Sequence, residues 1–445
     1  MSTYPRKKTI GDTDWFVHDR FGMFIHFGLY ALPARHEWIK EREKISEEKY
    51  QKYFDHFNPD LMDARDWARQ AREAGMKYAI LTTKHHEGFC LFDSEYTDYK
   101  STNTPCGRDL VREFVDAFRA EGLKVGFYYS LLDWHHPEFP IDRKHPRRLD
   151  ADAAAQDKGR DVRKYAEYMR NQVTELLTNY GKIDILWFDF SYPAGTGGGD
   201  VFDWMQFGGG KGPEQWESEK MLELIRKLQP HIILNDRLGI PQDLITPEQS
   251  HYNIFEIPQD ENGNYATWET CQTFSGSWGY YRDEASWKTP KMLVDMLVRS
   301  VARGGNLIMN VGPTSRGYFD SRAEAALKVY ADWMKYNSRS IYGCTMAEDS
   351  FKVPSGVELT QSEDGSRLYI HLVDFPFHRL VVDGLAERID YMQLLADGSE
   401  LNQYEIRYPH GPDGSPMDPQ FTIFMPGAVF NAIDPVIEVF LKPKQ

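Results

Sequence analysis

The side chains able to do chemistry gather at the ends of apolar runs. Ile183-Asp184-Ile185-Leu186-Trp187-Phe188-Asp189-Phe190 is bounded by Gly181 and a glycine-rich stretch, and it reads as a fully buried strand. Alternation along it puts Ile183, Ile185, Trp187 and Asp189 on one face. A carboxylate at the last position of a buried strand is costly unless it is paired or hydrogen-bonded. Asp189 is therefore either a structural ion-pair partner or a catalytic group. Other runs end in the same manner: Ile25-His26, Lys84-His85-His86-Glu87, Tyr128-Tyr129-Ser130, Asn235-Asp236-Arg237 and Asn306 to Asn310. Glycoside hydrolysis needs two carboxylates, one as nucleophile and one as acid/base. Asp189 fits one place. For the other, the stretch after Arg237 offers Glu248, Glu256, Glu261 and Glu269, and the residues alone do not choose among them. Adjacent histidines such as His85-His86 point to opposite sides of a strand, and no third ligand stands at metal spacing. They read as neutral donors and acceptors for hydroxyl groups, with Arg237 as a fixed donor. Trp134-His135-His136 is a further site edge or structural packing.

These groups need a scaffold that brings strand ends together. Helix, glycine and short apolar strand recur: Asp63 to Ala74, Gly75, Tyr78 to Thr83; Asp109 to Ala120, Gly122, Val125 to Ser130; Val162 to Asn179, Gly181, Ile183 to Asp189. A further helix, Glu217 to Leu228, leads to Ile232-Ile233-Leu234-Asn235. The strand candidate Arg20 to Gly28 precedes them, and Asn306 to Asn310 follows. Alternating helices and short buried strands predict βα units around a parallel sheet, and a long series of them closes as a (β/α)8-like TIM barrel. Polar groups at the C-terminal strand ends are where such barrels keep their sites. After the helix Arg322 to Tyr336 the pattern changes to strands separated by turn signals such as Asp383-Gly384 and Asp397-Gly398, which predicts an antiparallel β-sandwich. The expected domains are 1–345 and 346–445. The glycine-rich stretches 195–199 and 208–212 read as loops long enough to border a site.

A length of 445 residues fits a large barrel with an added module. The net charge of −15 repels phosphate backbones and argues against nucleic acid as a partner. The 11 Trp, 25 Tyr and 26 Phe supply a core and leave flat rings to cover sugar faces. Cys90, Cys106, Cys271 and Cys344 show no metal spacing and read as free thiols of a reducing compartment. Met1 to Trp15 is charged, with no apolar signal-peptide core, and no stretch approaches the roughly 18 apolar residues of a membrane span. A cytoplasmic location without membrane attachment is expected. The sequence leaves a homo-oligomer open.

The runs Met23-Phe24-Ile25-His26-Phe27-Gly28, Leu81 to Phe89, Phe127-Tyr128-Tyr129-Ser130, Leu186-Trp187-Phe188-Asp189, Leu234-Asn235-Asp236-Arg237, Ser277-Trp278-Gly279-Tyr280 and Gly304 to Pro313 fall in one order over about residues 15 to 345. In that order they resemble the α-L-fucosidases of glycoside hydrolase family 29. The resemblance implies a retaining exo-hydrolase acting on a fucosylated oligosaccharide, with no metal or other cofactor. Asp189 matches the nucleophile. Thr246-Pro247-Glu248-Gln249 resembles the segment that carries the acid/base, which points to Glu248, with Glu256 as runner-up. His26, Glu37, Trp38, His85, His86, Tyr128, Trp187 and Arg237 match fucose-contacting positions, and Trp278 matches an aromatic near the sugar methyl. Two departures stand out: Phe190 occupies a position where many members carry a small residue, and the stretch from Glu248 to Trp268 is long. Two rival readings share these residues: an exo-glycosidase for another sugar with the fucose hydroxyl pattern, and a non-catalytic fucose-binding protein.

Overall fold

The computed structural model describes residues 4–193, 210–252, 256–375, 379–406, 420–427 and 432–443. Seven parallel strands, β1 (Phe21–Ile25), β2 (Tyr78–Lys84), β3 (Lys124–Ser130), β4 (Ile185–Asp189), β5 (Ile233–Leu234), β6 (Glu269–Thr273) and β7 (Asn306–Val311), form one sheet in the order β5-β4-β3-β2-β1-β7-β6. The period of two sorts their side chains into two cores. Phe24, Tyr78, Ile80, Tyr128, Ile185, Trp187, Ile233, Cys271 and Ile308 meet in one buried cluster. Their neighbours Met23, Ile25, Leu81, Phe127, Leu186, Phe188 and Leu307 join a larger cluster with the surrounding helices. Side chains from all seven strands can meet on one side only if the sheet is curled.

The edge strands β5 and β6 are not paired with each other. Residues 244–249 lie between them. Leu244 N donates to Leu234 O, Ile245 N to Thr267 O, Glu269 N to Ile245 O and Gln249 N to Cys271 O. This segment is bridged in parallel to Asn235 on one side and to Trp268 and Cys271 on the other.

The helices between strands start on the side chains that helix physics favours there. Asp63, Asp109, Asp161 and Asp320 each accept a backbone N–H at the first turn of helices Ala64–Glu73, Leu110–Ala120, Val162–Asn179 and Ser321–Asn337. A short N-terminal helix, Asp14–Asp19, plugs the bottom of the sheet, with Trp15 and Phe16 against Tyr78. In that bottom layer Tyr78 donates to Glu269, and Gly22 leaves room for the tyrosine: a Cβ there would fall 2.2 Å from its ring.

The C-terminal strands β8 (Cys344–Met346), β9 (Glu358–Ser362), β10 (Arg367–His371), β11 (Arg379–Val381), β12 (Ile389–Leu394), β13 (Gln403–Ile406), β14 (Gln420–Phe424) and β15 (Val436–Leu441) form two antiparallel sheets, β12-β15-β10-β9-β8 and β11-β14-β13. Leu368, Ile370, Met392, Ile437 and Val439 of the first sheet share a core with Leu380 and Ile423 of the second. This unit docks on helices Pro290–Ala302 and Ser321–Asn337. Trp333 Nε1 donates to Asp434 O at 3.1 Å, and buried His371 spans Asp434 Oδ2 (2.9 Å) and Thr360 Oγ1 (3.1 Å).

Three expectations change. β6 and helix Pro290–Ala302 were not foreseen, and the sheet counts seven strands where the repeat predicted eight regular βα units. Glu-Thr-Cys-Gln-Thr is a buried strand without an apolar run, so hydrophobic periodicity passes over it. The glycines 195–199 lie outside the described residues. No helix among the described residues is long and apolar enough to cross a membrane.

Candidate active site

The C-terminal ends of the strands open into one pocket. It is lined by Phe24, His26, Glu37, Trp38, His85, His86, Tyr128, Trp187, Asp189, Phe190, Arg237, Glu248, Cys271 and Trp278. Every residue singled out from the sequence as catalytic or sugar-binding is among them. Of the other carboxylates, Glu256 and Glu261 are exposed and Glu269 lies in the bottom layer, all three off this lining. A wider cleft of about 780 Å³ lies beside Lys7, Lys8, Asp236, residues 239–243 and Ile245, and shares no lining residue with this pocket.

β4 delivers Asp189 on the inward face, two residues beyond Trp187, as alternation requires. Asn235 locks that strand end: its Oδ1 accepts from Phe188 N at 2.9 Å and its Nδ2 donates to Phe188 O at 2.8 Å. The carboxylate is four-fifths or more buried and fully engaged. Tyr128 OH donates to Oδ2 at 2.8 Å, and Arg237 Nη1 donates to Oδ1 at 2.8 Å. Arg237 enters from the short turn after β5 and is itself fixed, with Nε on Thr246 Oγ1 and Nη2 on Thr246 O, both at 3.1 Å. Its guanidinium stacks 4.6 Å from the Trp187 ring centre. Burial pulls the guanidinium down, but the charge on Asp189, with help from Cys271 and Glu248, outweighs it and holds Arg237 above the ordinary arginine value.

The same guanidinium reaches the second carboxylate. Nη1 and Nη2 each lie 3.2 Å from Glu248 Oε2. Glu248 rides on the 244–249 segment and its side chain is 47 % exposed, against 12 % for Asp189. Because one nitrogen, Nη1, bonds both carboxylates at 2.8 and 3.2 Å, the two acceptor oxygens cannot be farther apart than those bonds laid end to end.

The histidines are neutral. Burial pushes His26 down to about 3 and His86 to about 4, against the pull of Asn310 and of the Asp189 charge, and it drives His85 well below the ordinary value. Their partners assign the protons. Ser130 Oγ donates to Leu132 O at 2.8 Å, so it accepts from His86 Nδ1 at 2.7 Å, and the lone pair of His86 is on Nε2. Asn310 Nδ2 donates to Trp278 O at 2.6 Å, so its Oδ1 accepts from His26 Nδ1 at 2.6 Å. Both rings thus offer an acceptor to a hydroxyl. Glu37 is buried, accepts the N–H groups of Trp278 (3.1 Å) and Gly279 (2.9 Å), and is raised by burial to about 7. Trp134 backs the site through ring contacts to Trp38 and His86.

The supporting residues Asn235, Ser130 and Asn310 stand at strand ends already marked in the sequence, although their pairing with Phe188, His86 and His26 was not foreseen. Thr246 and Cys271 carried no such signal, because the segment and strand that bear them lack apolar periodicity. Among the described residues no group of three or more His, Cys, Asp or Glu could hold a metal ion.

The profile of the α-L-fucosidase family matches residues 5–339. The plasma α-L-fucosidase of Homo sapiens is 30% identical over 359 residues, which covers 74% of this chain and 68% of that protein. The α-L-fucosidase of Dictyostelium discoideum is 28% identical over 362 residues, covering 74% and 71%. Among solved structures, α-L-fucosidase isoenzyme 1 from Paenibacillus thiaminolyticus superposes with a TM-score of 0.85 at 43% identity, covering 97% of this chain and 99% of that one. A family 29 α-L-fucosidase from Bacteroides thetaiotaomicron, trapped as a covalent intermediate with 2-fluoro-fucosyl fluoride, superposes at 0.80 with 26% identity and full coverage of both chains. With three quarters of its length under the family profile and its strand ends assembled into this pocket, the chain belongs to the α-L-fucosidase family, glycoside hydrolase family 29.

Proposed function

We infer that this chain is a retaining, exo-acting α-L-fucosidase that removes terminal α-L-fucosyl residues from oligosaccharides or glycoconjugates. The observation that carries the reading is the pair Asp189 and Glu248 held by one guanidinium at the mouth of a pocket of neutral histidines. Asp189 attacks the anomeric carbon while Glu248 gives its proton to the glycosidic oxygen, and the carbon–oxygen bond breaks. Water then attacks the fucosyl-enzyme, Glu248 takes its proton, and Asp189 is released. The contrast in exposure suits these roles. A nucleophile gains from low solvation, whereas an acid/base must exchange its proton with the leaving group and with water. Arg237 balances the Asp189 carboxylate at the start, when Glu248 holds its proton; once Asp189 is esterified and Glu248 has given that proton away, the guanidinium faces the Glu248 carboxylate, which then acts as base. His26, His85, His86, Glu37, Trp38, Tyr128 and Trp187 grip the ring, and Trp278 covers an apolar part of it. We read the curled sheet with the 244–249 segment as a TIM-type barrel of eight staves, and the two C-terminal sheets as a sandwich; the division expected at 345/346 falls inside β8, whose pairing with β9 puts that strand in the sandwich.

A panel of nitrophenyl glycosides tests this. The α-L-fucoside is expected to be cleaved fastest, and NMR should show α-L-fucose as the first product. Faster cleavage of a galactoside or arabinopyranoside, no cleavage at all, or the inverted anomer first would overturn it.

A further inference from the structure

Phe190 follows Asp189 directly, and its backbone is in the left-handed region at φ 83°. For a bulky side chain that is a genuine outlier, which persists only where the surroundings over-determine it. They do so here. Ser191 Oγ donates to Arg237 O at 2.8 Å and accepts from Trp216 Nε1 at 3.1 Å, while Tyr192 exchanges both backbone hydrogen bonds with Lys211. The turn aims the Phe190 ring at the pocket mouth. There it meets Trp38 at 5.2 Å and His86 at 5.0 Å between ring centres, with Lys144 Nζ 5.5 Å from its own centre.

The pocket lining divides by exposure. His26, Glu37, His85, His86, Tyr128 and Trp187 are buried and enclose a single ring, whereas Trp38, Phe190, Arg237, Glu248 and Trp278 are partly exposed and form the rim. With a fucosyl ring in the buried part, the leaving group starts beside Glu248 and has only the rim to lie on. Arg237 is engaged with both carboxylates, and Trp278 packs inward on His26 and Phe24. The open aromatic surface is therefore the Trp38–Phe190 pair.

We propose that Phe190, backed by Trp38, is the wall against which the first ring of the leaving group stacks, so that this residue sets leaving-group selectivity. The occupant is a ring with one flat apolar face: a pyranose showing its C–H face, or an aryl group. The strained turn is retained because it alone presents an aromatic face one residue from the nucleophile. This inference rests on the fucosidase reading of the pocket.

The test compares Phe190→Gly, which takes the left-handed turn without strain, with Phe190→Leu and Phe190→Tyr, each checked for a wild-type circular dichroism spectrum. Three substrates are used: α-L-fucosyl fluoride, whose leaving group has no ring; 4-nitrophenyl α-L-fucoside; and the fucosyl disaccharide the wild type cleaves best. The loss of kcat/KM in the Gly and Leu variants should be larger on the ring-bearing substrates than on the fluoride by roughly three- to tenfold, mainly through KM, with Tyr restoring the wild-type ratio. With the fluoride as donor, fucosyl transfer to an added sugar should fall relative to hydrolysis. Equal losses on all three substrates would mean that Phe190 only holds Asp189, and no loss on any of them would mean that the leaving group lies elsewhere; either overturns the proposal. A wild type inert on the fluoride removes the fucosidase reading, and the wall with it.

Discussion

Asp189→Ala keeps the strand but strips Tyr128 and Arg237 of their shared acceptor. It is expected to fold and to lose hydrolysis by roughly a thousandfold or more; kcat within about a tenth of wild type would reassign the nucleophile. Glu248 and Glu256 separate by chemistry. Glu248→Ala should retain most of its first-step rate on a substrate whose leaving group needs no protonation, and azide should accelerate its slow second step, whereas Glu256→Ala should show neither effect. The contrast follows from position, because Glu248 touches Arg237 and Glu256 is exposed away from the lining. At this scale the sequence was legible where a polar residue ended an apolar run, as at His26, Asp189 and Arg237. Thr246 was marked only as part of the segment around Glu248 and Cys271 only as a free thiol; that Thr246 holds Arg237 and that Cys271 lines the pocket depend on how the 244–249 segment and β6 pack.

The sheet is a set of strands with unequal signals. β1 to β4 and β7 are apolar runs, with glycines at the turns before β2, β3, β4 and β7 and Arg20 before β1, and each was visible. β6 was hidden because its inward face carries Glu269, Cys271 and Thr273, and its pairing with β7 supplies what its composition lacks. Glu269 shows what such a face costs. Burial raises its carboxyl from 4.5 to about 8, so the folded chain holds a proton there that the unfolded chain has lost. A native state that binds the extra proton loses stability as pH rises through that window, by up to about 1.4 kcal/mol per unit from this group. Glu269→Gln should flatten the decline of urea-unfolding free energy between pH 5 and 8 relative to wild type; parallel curves would show that Glu269 is charged in the folded protein. Asn235 gives a second test. Its side chain satisfies both backbone groups of Phe188. Asn235→Ala should cost about 1–3 kcal/mol in urea unfolding and lower kcat, because the strand end that aims Asp189 loosens.

Across the whole molecule, two units meet through helices Pro290–Ala302 and Ser321–Asn337, and Trp333 of the second caps the carbonyl of Asp434 beside His371. Imidazole Nδ1 lies 2.9 Å from the Asp434 carboxylate and Nε2 lies 3.1 Å from the Thr360 hydroxyl, which itself donates to Ser340 O. His371→Ala should lower the melting temperature by several degrees, as a buried polar network loses its centre, with fucoside KM little changed because the residue is remote from the pocket. The change from helix-dominated to strand-dominated patterning made the C-terminal unit readable in the sequence, but nothing local announced the buried His371 contact. The 244–249 segment has a consequence for descent. Asp189 sits on a strand paired on both sides, so drift there disturbs the whole sheet. Glu248 sits on a strip between two unpaired edges, followed by a long excursion before the chain re-enters at β6. That strip is held to the sheet by bridges to Asn235, Trp268 and Cys271, so a change in it shifts the acid/base while the pairing of β4 with β3 and β5 stands. The two carboxylates of one reaction are therefore under unequal constraint: the one that bonds the sugar is fixed by the whole sheet, the one that handles the proton by a short strip.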